Sequence, residues 1–218
     1  MNAPPARIAG YTALQIAIFQ RKYCNELVQV FLEAGAHAND SPSYEFGYTS
    51  IALAARRGDD DLVRLLVSRG ADVNGPIATR YGRTALQAAS EAGHHSTVQL
   101  LLGMGAKVNA PGCSSGGRRA LQAAASMGYL RIARLLISKG ASVDAPGAPM
   151  DYNRGYGNTA LEEAAKWGHI DMLKLLLNSG ADITRTEQGR RQLHRAMELA
   201  IRNGQNAAAK FLKYHQTC

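Results

Sequence analysis

Cysteine is scarce. Cys24, Cys113 and Cys218 stand far apart, with no Cys-x-x-Cys pair and no Cys/His cluster at metal-ligand spacing. Those spacings offer no metal ligand set, and a sparse, odd count fits a reducing intracellular compartment, the cytoplasm first and the nucleus second. Aromatic residues make up 6% of the chain, with one Trp and four Phe, so a core must come mainly from Ala, Leu, Ile and Val. No run of 18 apolar residues occurs, which excludes a membrane-spanning helix. The start, Met1-Asn2-Ala3-Pro4-Pro5, lacks the basic stretch and apolar run of a secretory signal. No phosphate-binding loop, dinucleotide fingerprint or Gly-x-Ser-x-Gly elbow is found, so neither a cofactor nor an enzyme activity is expected.

What is present is a folding composition: 46% hydrophobic and 19% charged residues in 218. The net charge is +8, and part of it is concentrated. Between Thr184 and Cys218, Arg185, Arg190, Arg191, Arg195, Arg202, Lys210 and Lys213 face only Glu187 and Glu198, an excess of five. Such an end attracts nucleic acid, anionic lipid or an acidic protein, or is simply a solvated terminal face.

Internal repetition dominates the chain. Tyr11-Thr12-Ala13-Leu14-Gln15 returns as Tyr48-Thr49-Ser50-Ile51-Ala52, Arg83-Thr84-Ala85-Leu86-Gln87, Arg118-Arg119-Ala120-Leu121-Gln122 and Asn158-Thr159-Ala160-Leu161-Glu162. A weaker sixth copy is His194-Arg195-Ala196-Met197-Glu198. The anchors Leu14, Ile51, Leu86, Leu121, Leu161 and Met197 lie 37, 35, 35, 40 and 36 residues apart. In copies two to five a closing Gly-Ala follows 19 residues after the anchor, and in copy one 21.

Each unit reads as helix, turn, helix, extended finger. Thr before Ala-Leu is a good N-cap, and Gln or Glu three residues later completes a capping box: Thr12 with Gln15, Thr84 with Gln87, Thr159 with Glu162. The first helix is Ala-rich and ends at a glycine. The second carries Leu, Ile and Val and ends at the closing Gly.

These motifs resemble the ankyrin repeat family, whose pattern is G-x-T-P-L-H-x-A-A, then G-H, an aliphatic helix and G-A-D-V-N. The likeness covers about Gly10 to Tyr214. Ala replaces the family's Pro, Gln or Glu replaces its His, and the connections are longer, as in Gly75–Arg83 and Ala145–Asn158. The style is similar to ankyrin arrays of large fungal proteins. The resemblance implies an all-α solenoid of about six helix-turn-helix units with finger loops, one array over residues 1–218, with repeats at 10–39, 47–74, 82–109, 117–144, 157–183 and 193–214. Asn2-Ala3-Pro4 matches Asn109-Ala110-Pro111, which leaves two readings, an array cut from a longer chain first and a natural array with an unusual cap second; a monomeric array is expected.

By family geometry, the variable surface comprises the finger tips, the residue after the finger glycine and two residues late in the first helix. The late pairs are Phe19-Gln20, Arg56-Arg57, Glu91-Ala92, Ser126-Met127, Lys166-Trp167 and Arg202-Asn203. The expected contact residues are Tyr11, Tyr48, Arg80, Tyr81, Arg83, Arg118, Tyr156, Lys166 and Trp167. Tyr, Trp and Arg are the types that anchor interfaces. The finger tyrosines have a second role open to them, packing between adjacent fingers. Asp59-Asp60-Asp61, Glu45, Glu91, Glu162 and Glu163 break up the positive field and argue against nucleic acid.

Glu163 falls at a register that is otherwise Ile16, Leu53, Ala88, Ala123 and Leu199. An acid at an apolar position needs a partner. Arg119 and Arg195 stand in the capping-Thr register of copies four and six, so a Glu163 ion pair with Arg195 or Arg119 is expected. His94 and His169 take the family's turn-histidine place and are read as structural. The resulting expectation is a non-catalytic scaffold binding a protein or peptide, acidic or polar, in the groove of fingers and first helices. The alternative is a small-molecule site or unusual enzyme in the repeat five to six groove, around Glu163, His194 and Trp167.

Overall fold

The computed structural model describes residues 12–20, 24–40, 47–78, 82–114, 117–148 and 157–216. Tyr11, Arg80, Tyr81 and Tyr156 lie outside them, as do Tyr44, Glu45, Phe46, Tyr152 and Arg154. Among the described residues there are twelve helices and no strand. They run as six successive pairs: α1 (Ala13–Phe19) with α2 (Cys24–Glu33), α3 (Ser50–Arg57) with α4 (Asp60–Ser68), and α5 (Ala85–Ala92) with α6 (His95–Gly103). Then come α7 (Ala120–Met127) with α8 (Leu130–Ser138), α9 (Ala160–Trp167) with α10 (Ile170–Asn178), and α11 (Glu187–Arg202) with α12 (Asn206–Gln216).

The odd-numbered helices form one layer, each packed on the next. The even-numbered helices from α4 to α12 form the second layer in the same way. Alanine explains the first layer. Ala54, Ala55, Ala89, Ala124, Ala125, Ala164 and Ala165 are fully buried, so neighbouring backbones come close. The larger volume is filled between layers by Leu62, Leu66, Leu101, Ile132, Leu136, Leu173 and Leu176.

Side-chain hydrogen bonds fix how one repeat meets the next. The three expected capping boxes form at Thr12, Thr84 and Thr159. The box glutamines do more than cap. Gln87 Nε2 donates to the carbonyls of Ala110 and Pro111 (3.1 and 2.9 Å), and Gln122 Nε2 to those of Ala145 and Pro146 (2.9 and 3.1 Å), tying each helix to the base of the following finger. Asn39, Asn74 and Asn109 form a second ladder. Each donates to the Gly carbonyl of the next closing turn and accepts a backbone N–H two residues beyond that Gly. His94 and His169 place Nε2 3.1 and 3.2 Å from the carbonyls of Arg56 and Ser126, one repeat back.

The last pair departs from the expected unit. A finger and a helix starting near His194 were expected, but α11 begins at Glu187 and runs 16 residues against seven or eight in the other first-layer helices. Asp182 causes this. Its carboxylate accepts the backbone N–H groups of Thr184, Arg185 and Thr186 and the Thr186 hydroxyl, which turns the chain at once. Thr186 then caps the helix through the Gly189 N–H. Those bonds hold the Asp182 carboxyl below its ordinary value, the Thr186 hydroxyl most of all. Arg195 therefore sits inside a helix and not at its N-cap, whereas Arg119 does occupy the N-cap of α7.

The first-helix glycines need positive φ and also accept the next repeat. Gly128 has φ 72°, and a Cβ there would lie 2.9 Å from the His169 ring. Gly140 has φ 85° with nothing within 4 Å of an added Cβ. Gly140→Ala is expected to lose about 1 kcal/mol, the left-handed strain alone. Gly128→Ala is expected to lose more, about 2–3 kcal/mol, because the His169 contact is disturbed as well. Urea unfolding of both variants checks the order.

Candidate protein-interaction face

The first-layer helices α3, α5, α7 and α9 stop at glycine, α1 at Gln20 and α11 at Asn203, and large apolar side chains stand exposed directly before three of these caps. Phe19 is 65% exposed, Met127 48% and Trp167 50%. Met127 and Trp167 occupy the same register on the adjacent helices α7 and α9, each directly before the C-cap glycine. Lys166 lies with Nζ 5.3 Å from the centroid of the Trp167 ring, a cation–π pairing. In repeat two the Arg56 guanidinium sits 5.4 Å over the half-buried Tyr48 ring.

The expected contact arginines have other work. Arg83 is only 7% exposed. Its Nε meets Glu91 at 3.0 Å, and Nη1 donates to the Gly82 carbonyl. Glu91 also meets Arg118 at 3.5 Å. Arg118 Nε meets Glu163 Oε1 at 3.3 Å, and the Asn158 amide donates to the same oxygen at 3.1 Å. Arg195 contacts Asn158 at 3.5 Å and Glu162 at 3.6 Å. The result is a chain of alternating charge, Arg83–Glu91–Arg118–Glu163 and Arg195–Glu162, joined through the neutral amide of Asn158 and crossing four repeats.

Glu163 thus has a guanidinium partner, but not the expected one. Arg118 takes its carboxylate, Arg195 turns to Glu162, and Arg119 donates to the Asn109 carbonyl. The register argument found the buried acid and missed the geometry. Arg118 precedes the N-cap of α7 and reaches forward to Glu163 on the neighbouring α9, whereas Arg119, the N-cap residue, reaches back to the closing turn of repeat three. Glu163 Oε2 is buried without a hydrogen-bond partner. The pairing of Glu91 with Arg118 and of Asn158 with Arg195 reaches across one repeat, where nothing local in the sequence signals it.

Glu163, His194 and Trp167 do not share the cleft between α9 and α11. Glu163 is buried, His194 and Trp167 are exposed, and none of them lines the cleft between α9 and α11. Among the described residues no group of His, Cys, Asp and Glu could hold a metal ion, and no helix is long and apolar enough to cross a membrane.

Burial raises the Glu162 carboxyl above its ordinary value; the Thr159 N–H and Arg195 pull it down, and Glu163 pushes it up again. An acid that binds its proton more tightly in the fold contributes stability that is present below its unfolded pKa and lost as pH rises through the folded one. Wild type should therefore gain stability over Glu162→Gln as pH falls from 7 towards the ordinary value of 4.5, by at most about 1.4 kcal/mol per pH unit. Denaturant melts of both proteins across that range measure it. Arg118→Met strands a buried carboxylate and should cost about 2–3 kcal/mol, less than a fully buried pair because Arg118 is partly exposed. Arg118→Met with Glu163→Leu should recover most of that loss, since leucine stands at the same register in repeats two and six.

A family model of ankyrin repeats, three copies long, matches residues 14–112, 53–146, 109–187 and 147–218. No curated protein matches the chain. Ankyrin repeats as a class mediate protein–protein interaction and are typically non-catalytic. With matches overlapping from residue 14 to residue 218 and six stacked helix pairs beneath them, the chain belongs to the ankyrin repeat family.

Proposed function

We propose that this chain is a non-catalytic scaffold that grips a protein or peptide partner on the face made by its first-layer helix ends and fingers. One observation carries the reading: Met127 and the only Trp, Trp167, stand half-exposed at one register on adjacent helices. Large side chains held out on a rigid support are the type of anchor that dominates interfaces. Arg56, Lys166 and Arg202 share the neighbouring register and favour an acidic or polar partner. Tyr48 and Arg118 border the face. Tyr11, Arg80, Tyr81 and Tyr156 remain proposed contacts, whereas Arg83 serves the charge chain. The division into six repeats over one monomeric array belongs to this reading, as does an encounter in the cytoplasm or nucleus.

Met127→Ala with Trp167→Ala removes the anchors and leaves the buried alanines intact. Affinity capture with wild type and this variant, quantified by mass spectrometry, should show specific partners depleted by about tenfold or more on the variant. Equal recovery of every protein from both baits would overturn the assignment. Circular dichroism melts of the two should coincide.

A further inference from the structure

The step from repeat five to repeat six breaks the pattern that closes the others. In repeats three and four the base of the next finger lies against the capping-box glutamine, through Ala110-Pro111 on Gln87 and Ala145-Pro146 on Gln122. In repeat five that position is Glu162. The residues at the same offset are Arg185 and Thr186, held by Asp182 at the start of α11. Among the described residues no following finger base lies against Glu162. A cleft of about 520 Å³ is there instead. One wall is the base of the preceding finger, Pro146, Gly147 and Gly157. The floor is Thr159 and Glu162, and the far wall is Gln188, Arg191, Gln192 and Arg195 of α11. The volume suits a bound segment of a few residues.

The charge of the walls selects its occupant. Arg191 and Arg195 are four residues apart on one helix face, so an anion entering between them lies within reach of both guanidiniums. Glu187 pairs with Arg191 from outside the cleft, and Arg195 meets Glu162 at 3.6 Å and Asn158 at 3.5 Å. An acidic group entering here gains two guanidiniums. A phosphate dianion would meet the Glu162 carboxyl on the floor, and the apolar Pro146 wall suits a peptide better than a phosphate backbone.

We propose that this cleft takes an extended segment of the protein partner in place of the missing finger, with an Asp or Glu side chain of that segment between Arg191 and Arg195. The inference rests on the scaffold reading above and names the partner's chemistry. Gln188 supplies an amide to the segment's backbone. Glu162, an acceptor where other repeats carry the Gln amide, calls for a donor from the segment.

A displayed library of random nonapeptides, selected against the full chain, provides the probe. Enriched peptides are made acetylated and amidated, and their affinities are measured by fluorescence polarisation. The expected result is a shared Asp or Glu, and an affinity loss of about tenfold for Arg191→Gln/Arg195→Gln. Replacing the peptide's acid by its amide should cost about the same with wild type and little further with the double variant, the sign of direct coupling. Peptides weakened by Met127→Ala/Trp167→Ala but unaffected by Arg191→Gln/Arg195→Gln would overturn the cleft and leave the interaction face standing. Binding that requires a free C-terminal carboxylate would overturn the internal segment. Capture of single-stranded RNA or phosphatidylserine vesicles through these arginines, with no acidic peptide enriched, would overturn the peptide. A library yielding no binder would overturn both readings. Circular dichroism of each variant confirms that the fold is kept.

Discussion

Everything in this chain depends on stacking between neighbouring repeats. A pair of helices of eight and nine residues cannot bury enough apolar surface alone. Ala54 and Ala55 of α3 are fully buried because α5 lies on them, and Ala124 and Ala125 of α7 because α9 does. Small side chains in this layer are the condition for close approach. That condition explains a composition rich in alanine and poor in aromatics, and it leaves the few large side chains free to stand at the helix ends.

Apolar stacking sets the distance between repeats, and polar side chains set their alignment. Three kinds of polar contact link repeats, not all at every junction: glutamine to finger base, asparagine to closing turn, and, from His94 and His169, histidine to the carbonyl one repeat back. Each pairs a side chain with backbone groups that the helices themselves leave without a partner. Where a ladder residue becomes acidic, the local architecture changes with it. Asp144 stands in the asparagine series and accepts the Asp182 N–H and the Gln192 amide. Glu162 stands in the glutamine series and has no amide to offer a finger. Both changes fall at the junction where a finger is replaced by the first turns of α11.

The charge chain from Arg83 to Glu162 separates two meanings of an arginine. Arg83 and Arg118 are of the residue type that reads acidic partners, and both follow a finger glycine. Their guanidiniums are nonetheless committed to Glu91 and Glu163. The proposed contacts therefore lie with groups at the helix ends and on α11, such as the exposed Trp167 and Met127.

Repeat period, helix pairing, capping boxes, turn glycines and the structural role of His94 and His169 were all legible in the residues. Each rests on contacts at a short or strictly recurring offset, and recurrence makes such offsets visible in one dimension. The exposure of Trp167 and Met127 was legible for the same reason, as the last positions before a helix-ending glycine. The partner of Glu163, the burial of Arg83 and the length of α11 were not. They depend on which side chain of one repeat meets which of the next, and on Asp182 gathering three backbone N–H groups in a segment with no counterpart elsewhere in the chain. The sequence by itself determined the repeating unit, because that unit is built from local hydrogen bonds and periodic apolar contacts. Only the tertiary structure decided which charges neutralise one another and where a cleft remains, because those outcomes depend on distances between repeats 35 to 40 residues apart along the chain.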